Sequence, residues 1–146
     1  MHLRSAKLID EKLNIKDNFA KNETGYVEVL YDINTSLENV HIVCHFVDNE
    51  DRIIISTGDC DVSRRLHQKR ESGTYKTKFK IPTDILNEGE YSLIFALGVP
   101  YGRIYDRLTD VVRFSLSDSR EGNGPEYIQR RPGFVLQDLP WETETT

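Results

Sequence analysis

Two alternating runs between residues 73 and 99 constrain this chain more than any other feature. Tyr75, Thr77, Phe79 and Ile81 alternate with Thr74, Lys76, Lys78 and Lys80, and Tyr91, Leu93, Phe95, Leu97 and Val99 alternate with Ser92, Ile94, Ala96 and Gly98. A period of two belongs to half-buried β-strands, because successive side chains point to opposite faces of a sheet. The segment from Pro82 to Gly89 returns the chain between them, with Leu86 placed to plug the end of a core. The runs predict an all-β fold in which each sheet packs one face and leaves the other to be read for function.

Further strands follow from the same pattern. Leu3–Ile9 alternates weakly, and residues 10–24 read as a long connection. Tyr26–Ile33 points Val27, Val29, Tyr31 and Ile33 inward, and the next strand points Val40, Ile42, Cys44 and Phe46 inward. Asp48–Asp51 is a tight polar turn leading into a short strand, Arg52–Thr57. Residues 58–72 are irregular and cross to the other sheet, with short helical turns possible at 60–70 or 83–87. Tyr101-Gly102-Arg103 turns the chain, and Val111–Leu116 closes the set with Val112, Phe114 and Leu116 inward. Seven strands at this spacing match an immunoglobulin-like sandwich of two antiparallel sheets. The first, second and fifth strands are expected in one sheet, and the third, fourth, sixth and seventh in the other.

Residues 1–117 thus form a sandwich, and residues 118–146 a separate linker and strand. The tail carries Phe134, Val135, Leu136, Leu139 and the single tryptophan, Trp141, between Pro and Gly breaks. Such side chains need a surface to bury against. Folding back on their own sandwich is one solution. Crossing to a second copy is the other, which adds a strand to its sheet edge and closes a two-fold homodimer.

Charge and motifs exclude several functions. A net charge of -5 in 146 residues offers no basic stripe for a nucleic-acid backbone, and Lys76, Lys78 and Lys80 read as a solvated strand face. Cys44 on an apolar face reads as a buried thiol, and a Cys44–Cys60 disulfide is the less favoured alternative, so the pair points to a reducing compartment. Neither a signal peptide nor an apolar run of spanning length occurs, which points to a cytoplasmic chain without membrane insertion. The opening Met-His followed at once by strand-like sequence hints at a domain excised from something longer.

No nucleophile elbow, phosphate-cradling loop or His/Cys metal spacing is present. His41 and His45 lie four apart on one strand face, about 13 Å from each other, too far to share a metal. Asp48–Asp51 and Asp59–Asp61 suit plain turns better than calcium loops. Neither catalysis, a cofactor nor a metal is expected.

The outer face of the second sheet carries the functional expectation. It presents His41, Val43 and His45 beside Ser92, Ile94 and Ala96, with Ile54 and Ser56 on one flank and Arg113 and Ser115 on the other. For a solvent face it is poor in charge and has small, flat positions. Imidazole, hydroxyl and guanidinium groups bond sugar hydroxyls, and apolar patches meet the C–H faces of sugar rings. The same face also suits docking of a partner protein.

The order Gly73-Thr-Tyr75 … Ile81-Pro82 … Leu86-x-x-Gly89-x-Tyr91-Ser-Leu93-x-x-Ala96-Leu97 carries a family resemblance. So do Tyr105-Asp106-x-x-x-Asp110-x-x-x-Phe114-Ser-Leu116 and the tail Gly133-Phe-Val135 … Trp141-Glu142. Together they resemble the carboxy-terminal carbohydrate-binding domain of the Wzt-type ATPase subunit of polysaccharide-exporting ABC transporters. The resemblance implies a non-catalytic module that recognises O-antigen polysaccharide on its undecaprenyl-diphosphate carrier. It also implies partnership with the ATPase domain and membrane subunits of the transporter at the inner face of the inner membrane, and a dimer with exchanged carboxy-terminal strands. Carried onto this sequence, the glycan site falls on His41, His45, Ser92, Ile94 and Arg113, with Tyr101 at the rim. The dimer contacts fall on Phe134, Val135, Leu136 and Trp141.

Overall fold

The computed structural model describes residues 1–62, 68–99, 101–118, 132–137 and 139–145. Eight strands follow one another along the chain: β1 (His2–Asp10), β2 (Asn18–Ala20), β3 (Gly25–Ile33), β4 (His41–Val47), β5 (Ile53–Gly58), β6 (Gly73–Lys80), β7 (Gly89–Gly98) and β8 (Ile104–Ser117). They build two sheets, one ordered β1-β3-β6 and the other β2-β8-β7-β4-β5. Apart from the strand β2, the partition is the one the alternating runs predict.

The core lies where those runs point. Val27, Val29, Tyr31 and Ile33 of β3 face Ile42, Cys44 and Phe46 of β4 and Tyr91, Leu93, Phe95 and Leu97 of β7, all buried in one cluster. Phe114 sits at its centre, stacked on Tyr91 at 5.3 Å and meeting Phe46 edge-on at 6.1 Å. Each such ring removes a large apolar area from water and favours these offset and edge geometries. Leu86 is buried at the end of this core, as its place in the connection suggests. The outward Thr74, Lys76, Lys78 and Lys80 of β6 are exposed.

Four details differ from the sequence expectation. The connection 10–24 contains β2, which pairs in parallel with β8, Phe19 opposite Leu116. Three residues are too few to show a period, yet Phe19 is fully buried and packs edge-on against Phe114 at 6.4 Å. Strand β8 starts at Ile104 rather than Val111, and two extra residues between Leu108 and Val112, opposite the step from Phe95 to Leu93, interrupt its ladder with β7 just before the part read from the sequence. Val99 leaves the inner face and lines the outer surface, since β7 ends at Gly98. Residues 83–85 form turns rather than a helix, while of the alternative helical stretch at 60–70 residues 63–67 lie outside the described residues, Gln68 is helical, and Asp59–Asp61 form a 3-10 turn.

Both cysteines are free thiols. Burial pushes Cys44 up to about 12. Cys60 rises to about 11, chiefly through burial and then through the neighbouring Asp59.

The described part of the tail, 132–137, lies against the 85–87 loop of its own chain. Asn87 N donates to Phe134 O at 2.9 Å, and Leu136 N donates to Ile85 O at 2.7 Å. The Asn87 side-chain amide donates to Gly133 O at 2.8 Å. Leu136 is buried in this slot, Val135 forms a bridge with Leu86, and the Phe134 ring carries the Arg52 guanidinium at 4.8 Å. Trp141, by contrast, is 88% exposed and Leu139 is 66% exposed.

Candidate functional site

The outer face of the five-stranded sheet is set by register. His41 pairs with Gly98, Val43 with Ala96 and His45 with Ile94 across β4 and β7. Ser56 of β5 pairs with His45 on the other side. Across β7 and β8, Ser92 pairs with Arg113 and Ala96 with Arg107. The alternation that buries Ile42, Cys44 and Phe46 therefore turns both histidines outward, half-buried among their neighbours.

These residues do not form one trough. They divide between two hollows. The first, about 400 Å³, brings together His41, His45, Ile94 and Tyr101 with Ala96 and Arg107. The space opens over Ala96 and Gly98, which carry little or no side chain, and Ile94 stands up beside them half-exposed. Gly98 is required here by space. A Cβ at that position would come within 2.6 Å of Arg103 O and 3.0 Å of Ile104 Cα, so the β7–β8 turn closes over bare backbone.

That turn positions Tyr101. Val99 N donates to Arg103 O at 2.9 Å and Gly102 N to Val99 O at 2.9 Å, which brings Gly102 and Arg103 back beside Val99. Tyr101 takes a left-handed backbone with φ of 57° and holds its ring wholly in solvent at the rim. A bulky residue in that conformation costs on the order of 1–3 kcal/mol. Next to it the Arg103 guanidinium stacks on Tyr105 at 5.0 Å. The ring of Tyr101 is thereby offered to whatever enters the hollow, with an apolar floor beneath and imidazole nitrogens along one wall.

The second hollow, about 500 Å³, holds Ser92 and Arg113 with Asp17, Asp48, Asp51 and Glu90. Asp48 is committed to its own turn. It accepts from Glu50 N at 3.0 Å and Arg52 N at 2.9 Å, and it pairs with Arg52 Nε at 2.8 Å. Burial works to raise its pKa, but the Arg52 and Glu50 amides and the Arg52 guanidinium together hold it below the ordinary carboxylate range. The two hollows thus differ in chemistry, one with imidazoles and a guanidinium, the other rich in carboxylates.

Arg107 and Gly98 are the site residues that the sequence reading passes over. Arg107 falls outside the strand as read from Val111, because β8 shifts register twice against β7, before Val112 and again between Asp106 and Ile104, and the run between the two shifts is too short to show a period. The glycine's signal was its place at the end of a strand directly before a turn. Among the described residues no group of three or more His, Cys, Asp or Glu side chains is placed to hold a metal ion.

A search of curated protein sequences finds no match. Among solved structures the chain is similar to the "Crystal structure of the C-terminal domain of wzt", at a TM-score of 0.71 and 16% identity, covering 99% of this chain and 83% of that one. At that identity the likeness establishes the two-sheet fold. The family model of the Wzt C-terminal domain matches residues 2–125, from β1 through all of β8. This chain belongs to the Wzt C-terminal domain family.

Proposed function

We propose that this domain is a non-catalytic carbohydrate-binding module that recognises O-antigen polysaccharide for an ABC exporter. The observation that carries the reading is the first hollow, in which an exposed tyrosine ring, an apolar floor and three nitrogen-bearing side chains converge on one open surface. Sugars ask for this combination, with donors for hydroxyls and flat apolar contacts for ring C–H groups. Family membership supports the transporter context, and under this reading the ATPase domain and the membrane subunits are the partners. Among the described residues no helix is long and apolar enough to cross a membrane, in keeping with a module that reaches the inner face of the inner membrane through those subunits.

The glycan residues under this reading are His41, His45, Ile94 and Tyr101 in the first hollow, with Ser92 and Arg113 extending the path into the second. The domain also acts as a homodimer that exchanges its tails. Support comes from Leu139 and Trp141, which bury little on the single chain and so offer apolar surface to a second copy. Each site alone is weak, on the order of micromolar to millimolar. Two sites facing a repeating polymer gain through effective concentration.

Titration with the O-polysaccharide of the producing strain tests this. Binding that weakens on His41→Ala without unfolding supports it. Silence at millimolar repeat units, with a partner protein retained on a column instead, would move the face to protein docking.

A further inference from the structure

We propose that the first hollow selects glycans bearing a negative charge, a carboxylate or a phosphate on the sugar, and that Arg107 reads that charge. The inference rests on the glycan reading above and deepens it. Its starting point is the electrical division of one sheet face. The hollow with Tyr101 is lined by His41, His45 and Arg107 and, among the described residues, by no carboxylate. The hollow with Ser92 sets Asp17, Asp48, Asp51 and Glu90 against a single Arg113.

Each hollow has one arginine without an ion pair among the described residues, Arg107 in the first and Arg113 in the second, and only Arg107 stands away from the carboxylates. Four further arginines are engaged: Arg4 with Asp32, Arg52 with Asp48, Arg70 with Asp59, and Arg103 on the Tyr105 ring. Arg107 is exposed and forms no ion pair among the described residues. Opposite it across the ladder stands Ala96, whose methyl leaves the space over the floor open.

A planar guanidinium offers two parallel N–H donors to a carboxylate or phosphate, and such charge-assisted pairs are roughly twice as strong as neutral ones. A neutral sugar ring finds only hydroxyl bonds there, in competition with water. The acidic second hollow repels the same group. A charged sugar residue is therefore placed at the Tyr101 end of the face, and the polymer acquires a direction across the sheet. Since the chain is negative overall at -5, an anionic polymer meets attraction at this hollow rather than from the protein's general field.

The test is an NMR titration of the full chain with three monosaccharide probes: methyl glucoside, methyl glucuronide and glucose 6-phosphate. The uronide separates a carboxylate source from a phosphate source. One or both charged probes are expected to bind about tenfold tighter than the neutral one, with shifts centred on the Arg107 side chain and the Ile94 methyls. Arg107→Gln is expected to bring them down to the neutral level, and Arg107→Lys to restore part of the preference. Equal binding of all three probes at this hollow overturns the charge selection and leaves the glycan reading standing. A charge preference that survives Arg107→Gln overturns the assignment to Arg107. Absence of any sugar-induced shift on the sheet face, with the O-polysaccharide also ignored, overturns both.

Discussion

The ammonium of Lys21 lies 2.8 Å from the main-chain carbonyl of Leu136 and 2.8 Å from that of Asp84. Lys21 is only 8% exposed, so one nearly buried cation ties the tail to the loop on which it rests. Its backbone amide is fixed as well, donating to Ser117 O at the end of β8 at 2.7 Å. Lys21→Met keeps the apolar stem and removes the donor. The carbonyls of Asp84 and Leu136 then lose a charge-assisted bond, at a cost of about 1.5–3 kcal/mol. The expected outcome is at least tenfold faster hydrogen exchange at the Leu136 and Asn87 amides, which bond across the slot, with little change at the Phe95 amide in the core. Unchanged exchange at Leu136 would mean that the backbone bridge holds the tail without the lysine.

Arg70 presents a second buried cation with a different task. Its side chain has no exposure. Nη1 lies 2.7 Å from Asp59 Oδ2 and 2.9 Å from the Tyr31 hydroxyl, and Nη2 lies 3.0 Å from Val40 O. The guanidinium thus joins the 3-10 turn after β5 to the start of β4 and to the core of β3. Arg70→Met leaves the Asp59 carboxylate poorly solvated and without its cation, and is expected to cost about 3–5 kcal/mol. The double variant Arg70→Met, Asp59→Leu is expected to recover much of that loss, because no uncompensated charge remains. Urea unfolding of the three chains gives the comparison. A double variant no better than the single one would assign the stability to the Tyr31 and Val40 bonds instead.

How much of this was legible in the sequence depends on which interaction sets each residue's place. Strands β3, β4, β6 and β7 were legible because each turns one face to the core, buried in β3, β4 and β7 and half-buried in β6, and that one-sided burial imposes the period of two. Their sheet partition followed from the same faces and the single long crossover. Strand β2 was not, since Phe19 is held by a tertiary contact with Phe114 and by a ladder to a strand almost a hundred residues away. Arg107 was hidden for a related reason: β8 shifts register twice against β7, and the run between the two shifts is too short to show a period. The histidines' outward placement was legible, but the division of their face into two hollows was not. That division depends on where the Asp48–Asp51 turn and the β7–β8 turn project, which alternation along a strand does not encode.

Acid and alkali are expected to weaken the fold through different groups. On the acid side, Asp32 is held below the ordinary range by the Thr74 hydroxyl, against burial and with the help of Arg4, and Glu71 is lowered by Ser36 and then Lys69. A carboxylate with a depressed folded pKa stabilises above its unfolded value of about 4, and that contribution is lost as pH falls through the folded value. On the alkaline side the sign reverses. Cys44 rises to about 12 through burial, so the unfolded chain releases that thiol proton first, near pH 8.5. Stability from Cys44 is complete below about pH 8.5 and declines as pH climbs toward 12. Thermal melts from pH 3 to 11 are expected to show a plateau with a fall at each end, and Cys44→Ala is expected to flatten the alkaline limb. A limb unchanged in Cys44→Ala would transfer the effect to Tyr31, which burial also raises to about 12.

Trp141 offers a direct reading of tail exchange, because it is the only tryptophan in the chain. On a single chain its indole is 88% exposed and its emission is expected at long wavelength. In an exchanged dimer the indole and Leu139 bury against the second copy, and emission shifts to shorter wavelength. The shift is expected to follow protein concentration together with mass by light scattering, since both report one association equilibrium. If the indole becomes fully buried, Trp141→Ala removes about 3–5 kcal/mol from the dimer, enough to leave single chains at micromolar concentration where the parent chain is paired. Long-wavelength emission from a species with the mass of two chains would mean that the copies meet through another surface. Long-wavelength emission at the mass of one chain throughout would place the tail on its own body, where Lys21 and Asn87 already hold it.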